Sequence, residues 1–308
     1  MYVYTHPECL QKYNGPDHPE KKERLDSILN SIKQINDFKI NIKEAPLAKI
    51  DIISLVHPKK HIEKIFSNIP KKGLIGVEKE PFADTVLCSH SKNAILRSCG
   101  AGIAAVDDLM KENQRVFCAI RPPGHHAETT KAMGFCFVNN IAVATRYLQN
   151  VYKVNKVAII DFDVHHGNGT QEIFYNDKSV VYASSHEFPL FPGTGSENET
   201  GIGNIFNATL KAGTKGNEFL KIFEQKILNP IDKFKPEIIL ISAGFDAHYR
   251  DPLANINLES EDFYEITKKI IELSNVHCNG RVISFLEGGY NLSALSESIK
   301  AHLRALKS

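Results

Sequence analysis

KVAIIDFDVHHGNGT, residues 156–170, is the stretch whose reading decides the fold. Its opening, Lys156–Ile160, is apolar after its first residue and rich in β-branched side chains, with no polar residue at alternate positions. A strand with one wet face would alternate, so this run predicts a strand buried on both faces, as in a parallel sheet. Directly behind it stand Asp161, Asp163, His165 and His166. The arrangement recurs: Val116–Ile120 leads into Arg121-Pro-Pro-Gly-His125-His126, and Ser179–Ala183 into Ser184-Ser185-His186. Glu237–Ile241 likewise leads into Ser242-Ala-Gly-Phe-Asp246, and Arg281–Leu286 into Glu287-Gly-Gly-Tyr290. Functional crevices of parallel sheets lie beyond the carboxyl ends of the strands, so these clusters are expected on one rim.

Between the runs lie segments of helical spacing. Leu25, Ile28, Leu29, Ile32 and Ile35 share a face, with His18-Pro19-Glu20 ahead of them as a helix start. Phe219, Ile222, Phe223 and Ile227 repeat the pattern, as do Phe263, Ile266, Ile270 and Leu273. Lys71–Asp84, with Gly73, Gly76 and Pro81 among charges, reads as a long loop. Lys21, Lys22 and Arg24, interleaved with Glu20 and Glu23, read as a solvated helix face. Without repeats or low-complexity linkers, residues 1–308 are expected to form one alternating α/β domain.

A formal charge of +1 implies no broad basic surface, which argues against nucleic acid as a partner. No segment approaches the roughly 20 apolar residues of a membrane span. Met1–His6 lacks the charged-then-apolar layout of a signal peptide. Cys9, Cys88, Cys99, Cys118, Cys136 and Cys278 are scattered, with no C-x-x-C pair, which suits free thiols in a reducing compartment. The cytoplasm is the expected location.

Asp163 and His165, two apart at a strand end, point the same way, and Asp246 comes from another strand. One nitrogen and two oxygens with an open fourth position match a catalytic zinc site better than a closed structural one. A blander reading stays open, in which Asp163 and His165 cap a helix beginning near Gly169. His125 and His126, beside Pro123 and Gly124, read either as proton-transfer groups aimed into the crevice or as a pair of structural histidines. Asp161 is available to orient His125, and Asn168 to orient His126. Tyr290, after a double glycine, offers a phenol to a developing oxyanion, or is simply packed.

RPPGHHA (Arg121–Ala127), GFCFVNN (Gly134–Asn140), DFDVHHGNGTQ (Asp161–Gln171), FPGTG (Phe191–Gly195), SAGFDAH (Ser242–His248) and EGGYN (Glu287–Asn291) closely resemble the histone deacetylase/acetylpolyamine amidohydrolase family. The form is that of its class II-like and bacterial branches. Weaker echoes at His18-Pro19-Glu20, Val56-His57 and Asp84-Thr85 extend the likeness over nearly the whole chain. The resemblance implies an arginase/deacetylase-type α/β sandwich with a central, mainly parallel eight-stranded sheet and helices on both faces. It implies zinc on Asp163, His165 and Asp246, with His126 as general base and later general acid beside His125. It gives Tyr290 the polarising of the acyl carbonyl. Phe135 and Phe191, with Gly134, Leu253 and Asp84, would line a narrow channel, and Cys136 sits beside it in a packing role. A structural potassium ion would lie behind the zinc, at Asp161, Ser184, Ser185 and the backbone of Asp163 and His165. Phe174, Asp177 and Val180 fall where a second monovalent cation occurs.

The implied activity is hydrolysis of the acetyl amide of a linear amine: acetyl-lysine in proteins or peptides or, alternatively, an acetylpolyamine or other small acetylated amine. Two rival readings have their own discriminants. Arginase-type binuclear manganese hydrolases carry further carboxylates where this chain has His166, Asn168 and His248. Inactive acyl-lysine binders lose the tyrosine that this chain keeps as Tyr290. Some polyamine-selective relatives carry glutamate after the Asp-Pro that here, as Asp251-Pro252, precedes Leu253. Arg250 stands where many class II members have glycine. Glu80 and Asp84 are the acidic groups expected near the channel mouth.

Overall fold

The computed structural model describes residues 1–77 and 84–308. Eight strands form one sheet: β1 (Tyr2–Thr5), β2 (Asn41–Glu44), β3 (Val116–Cys118), β4 (Val157–Asp161), β5 (Val180–Glu187), β6 (Ile205–Leu210), β7 (Ile238–Ala243) and β8 (Val282–Leu286). Their order is β2-β1-β3-β8-β7-β4-β5-β6, every neighbouring pair parallel. The strand of the decisive stretch lies inside the sheet, between β7 and β5. Its residues alternate between two separate cores, Val157 and Ile159 facing one, Ala158 and Ile160 the other. That is why Val157–Ile160 carries no polar position.

Helices cover both faces. α1 (Lys22–Lys33), α5 (Gly216–Phe223), α6 (Ser260–His277) and α7 (Leu292–Lys307) pack on the side of Ile160. α2 (Ser91–Glu112), α3 (Asn140–Tyr152) and the short α4 (Asn168–Phe174) pack on the side of Ile159. The predicted apolar faces lie where expected: Leu25, Ile28 and Ile32 are buried on α1, and Phe263, Ile266 and Ile270 on α6. A reciprocal capping box between Glu259 and Asp262 starts α6, satisfying donors at its first turn. α5 runs on through a π-helical stretch, Glu224–Leu228, into a further helix at Asn229–Phe234.

Several expectations need correction. β3 ends at Cys118, short of Ile120, and β5 continues through Glu187, so His186 lies inside its strand. The supposed loop after Lys71 contains Ile75–Gly76, paired antiparallel with Val86–Leu87; residues 78–83, Glu80 among them, lie outside the described residues. Glu20 and Arg24 do not belong to a solvated face, since both are fully buried. The two contact each other at 3.3 Å, and Arg121 Nη2 reaches Glu20 Oε2 at 3.0 Å. Buried charges persist only when paired, and here each has its partner.

Candidate metal centre

Four of the clusters follow strand ends at the carboxyl rim, and Ser184 joins them from within β5. Register puts Asp161 beside Ser184 on one side and Ser242 on the other. Asp163 and His165 sit in the bend just after β4, and Asp246 follows β7. Their donor atoms lie within 4.8 Å of one another, the only such group among the described residues, and all three side chains are buried. His165 Nδ1 stands 3.2 Å from Asp163 Oδ1 and 3.1 Å from Asp246 Oδ2.

Each carboxylate is anchored by backbone. Asp163 Oδ2 accepts from Gly288 N–H at 2.7 Å, and Asp246 Oδ1 from Val164 N–H at 3.0 Å. Glycine is required on two sides. A Cβ at Gly288 would stand 2.0 Å from Asp246 Oδ2, and one at Gly244 would stand 2.1 Å from Asp163 Oδ2.

This cluster demands positive charge. Burial, then the charge of Asp163, pushes the Asp246 carboxyl up to about 7. Burial alone would depress the His165 imidazole, but the two carboxylates outweigh it and push it up to about 10. Two buried carboxylates this close to one another need a positive charge between them, which a proton on His165 is one way to supply. A divalent cation does the same job better, taking the nitrogen's lone pair, so the donor set fits a metal ion.

The tandem histidines differ in environment. His125 Nδ1 lies 3.1 Å from Asp161 Oδ2, and although burial opposes it, the charges of Asp161 and Asp163 push this imidazole up to about 10. His126 Nδ1–H donates to Asn168 Oδ1 at 2.9 Å, and Asn168 Nδ2 donates to Glu128 Oε1 at 2.8 Å, which fixes the amide's orientation. With Nδ1 protonated, Nε2 of His126 keeps its lone pair. Burial, and then the charges of His125 and His165, hold His126 well below the usual histidine range.

One cavity of about 220 Å³ is lined by Asp84, His126, Gly134, Phe135, His165, Phe191, Leu253 and Tyr290. Every residue expected in the channel lines it. Gly134 is at φ +55, and a Cβ there would stand 2.4 Å from His126 Cδ2. Phe135 itself adopts a left-handed conformation at φ +68, its N–H donating to Thr85 Oγ1 at 3.0 Å. The Tyr290 ring meets Phe135 edge-on at 5.9 Å, while the Arg24 guanidinium lies 4.8 Å from it. Cys136 is buried beside the channel, its thiol donating to Gly134 O.

On β5, Ser185 Oγ is buried without a partner, and Ser184 Oγ contacts His186 Nδ1 at 2.9 Å. The Phe174, Asp177 and Val180 carbonyls do converge, but on the amide of Asn204, which donates to them at 2.8, 3.1 and 3.0 Å. Three residues escaped sequence reasoning. Glu287 Oε2 accepts from the N–H groups of Gly124 and His125 at 2.7 and 3.1 Å, clamping the histidine turn. Arg24 donates to the carbonyls of Glu287 and Gly289, each at 2.6 Å. Glu128 holds Asn168. Glu287 stood in a quoted motif and Arg24 one turn after Glu20, but no local pattern signals what either would touch.

A parallel eight-stranded sheet between helices, with a buried Asp–His–Asp cluster on its carboxyl rim, defines a hydrolase of the arginase/deacetylase fold. The chain belongs to the histone deacetylase family, whose domain model (Histone deacetylase domain) matches residues 18–306. It is similar to "Histone deacetylase 10, chloroplastic" of Oryza sativa subsp. japonica, at 37% identity over 313 residues, covering 95% of this chain and 70% of the relative. A "Probable deacetylase" of Archaeoglobus fulgidus is 34% identical over 297 residues, covering 94% of this chain and 81% of the relative. Among solved structures, the HDA15 HD domain superposes with a TM-score of 0.91 at 31% identity, covering 99% of this chain and 87% of that one.

Proposed function

We propose that this member of the deacetylase family is a zinc-dependent hydrolase of acetyl-lysine in proteins or peptides, working as one domain over residues 1–308. The observation that carries the reading is the buried Asp163–His165–Asp246 cluster, whose His165 lines a largely aromatic channel together with His126 and Tyr290. Zinc held there supplies Lewis acidity, polarising the acyl carbonyl and acidifying water near neutral pH.

The chain's own groups do the rest. Phe135 and Phe191 flank the aliphatic stem of the substrate and exclude water from it. His126 Nε2, neutral and unencumbered, takes the proton of the attacking water as its oxygen bonds to the acyl carbon. The Tyr290 phenol donates to the oxyanion, and burial, opposed by Arg24, keeps that phenol protonated well above the usual range. The charged His125, held by Asp161, stays fixed beside the site. As the C–N bond breaks, the proton on His126 passes to the departing amine, and acetate and a free amine leave.

His166, Asn168 and His248 are committed elsewhere, to Thr194 and Gln171, to His126, and to Ser260 and Arg250. That favours a mononuclear centre over an arginase-type pair. Retention of Tyr290 favours an enzyme over an acyl-lysine binder. Behind the zinc we assign potassium to Asp161, Ser184, Ser185 and the backbone of Asp163 and His165, supported by the register that sets Asp161 beside Ser184. At the Phe174, Asp177 and Val180 carbonyls, the amide of Asn204 weighs against a second monovalent cation. Six free thiols, all buried, suit a cytoplasmic enzyme.

A second substrate reading, an acetylpolyamine or other small acetylated amine, is favoured by the carboxylate of Asp84 at the cavity. Against it stands Leu253 at the wall, which offers a second ammonium group nothing. A panel of acetyl-lysine peptides, N-acetylputrescine and acetylspermidine on zinc-loaded protein decides. Higher kcat/KM for the peptides is expected; a strong preference for either acetylated polyamine overturns the peptide reading.

A further inference from the structure

Tyr290 follows Gly288 and Gly289, the second at φ +117, a conformation glycine adopts freely and which gives the turn little stiffness of its own. Where the phenol points must therefore be set by groups that grip the turn from outside. Asp163 takes the N–H of Gly288, and Arg24 takes the carbonyls of Glu287 and Gly289. The N–H of Tyr290 itself goes to Asp251, donating to Oδ2 at 2.6 Å, and Asn291 N–H donates to the same oxygen at 3.3 Å. The other oxygen, Oδ1, accepts from Leu253 N–H at 3.1 Å.

Asp251 is only 7% exposed, and its own N–H donates to His248 O at 2.8 Å. Its side chain does not line the channel. A carboxylate accepts and never donates, and bonds to it are the stronger, charge-assisted kind, so it suits a place where N–H groups converge from two loops. One of those loops carries Leu253, a wall of the channel; the other carries Tyr290. The geometry points to Asp251 as a positioning residue that locks the Tyr290 turn to the Leu253 loop and so fixes the phenol over the reacting carbonyl. This rests on the proposed role of Tyr290 as oxyanion donor.

Asparagine cannot accept at both ends, so Asp251→Asn strips at least one N–H of its partner. A misplacement of about 1 Å at a reacting group costs on the order of 10²-fold in rate. The expected result is a fall in kcat of roughly 10- to 100-fold, with KM much less affected and zinc content unchanged. The deciding experiment is the double-mutant cycle with Tyr290→Phe on acetyl-lysine peptide. If Asp251 acts through the phenol, Asp251→Asn costs little once the phenol is gone. An equal loss in both backgrounds, or no loss in either, overturns the inference. Should Asp251→Asn fail to fold, Asp251→Glu, which keeps the carboxylate but displaces it by one methylene, carries the same cycle. Full turnover in Tyr290→Phe alone would strike the role of the phenol itself, a failure distinct from an additive cycle.

Discussion

Replacing Asn168 by aspartate tests the assignment of His126 as the base. In the wild type the partner of His126 Nδ1 is a neutral amide oxygen at 2.9 Å, and burial keeps the imidazole neutral around pH 7. The introduced carboxylate would put a negative charge about 4 Å from the centre of the imidazolium, an attraction of about 4 kcal/mol at an effective dielectric of 20. Opposite charges at such range raise a histidine by about 1–3 units, and each unit is about 1.4 kcal/mol. Only the neutral form accepts a proton, so a higher value leaves less active base at low pH. The acidic limb of kcat/KM therefore moves to higher pH by about 1–3 units. One neighbour modifies the experiment. Asn168 Nδ2 donates to Glu128 Oε1 at 2.8 Å, so an aspartate would face a second carboxylate there, and the two would share a proton. The single variant should show a reduced shift, and Asn168→Asp with Glu128→Gln, whose amide restores the donor, the full one. The assay is the pH–rate profile at matched zinc occupancy. A limb that stays put or moves to lower pH in the double variant refutes this account of His126.

Tyr290→Phe keeps the ring and removes the donor, so kcat should fall by about 10²–10³ with metal binding intact; turnover and metal content measured on one preparation check this. Gly288→Ala places a Cβ 2.0 Å from Asp246 Oδ2 and 2.6 Å from Asp163 Oδ2, so it should weaken zinc binding sharply in a fold of near-normal melting temperature; competition against a chelator reads it. Burial pushes the Glu20 carboxyl up, but the charges of Arg121 and Lys12 hold it far below the ordinary 4.5. Its stabilisation is complete above that ordinary value and fades as pH falls toward the folded one. Glu20→Gln should cost about 3–5 kcal/mol at pH 7 and visibly less near pH 3, as followed by urea unfolding at both.

Much of this was legible in local pattern, and the rest failed for physical reasons. The strands β3, β4, β5, β7 and β8 announce themselves because both faces are buried. β2 does not, because Asn41–Glu44 is an edge strand, half-buried at Asn41 and Lys43 and exposed at Ile42 and Glu44, so its pattern inverts the usual alternation. Asp163, His165 and Asp246 are readable because each lies within a few residues of a strand end. Arg24 misleads, since a basic residue among Lys21, Lys22 and Glu23 looks solvated until Glu287 and Gly289 arrive from the far end of the chain. Glu287 on the histidine turn and Asp251 on the tyrosine turn are likewise contacts between strand-end loops, fixed by sheet order and invisible in any window of sequence.

The central claim is that Asp163, His165 and Asp246 hold one catalytic zinc. Its most direct test is titration of the metal-stripped protein with zinc while acetate release from an acetyl-lysine peptide is followed. Activity should rise linearly and break at one zinc per chain, and Asp246→Ala should neither bind that zinc tightly nor turn over. Full activity in the stripped protein, or stoichiometric zinc with full activity in Asp246→Ala, would contradict it.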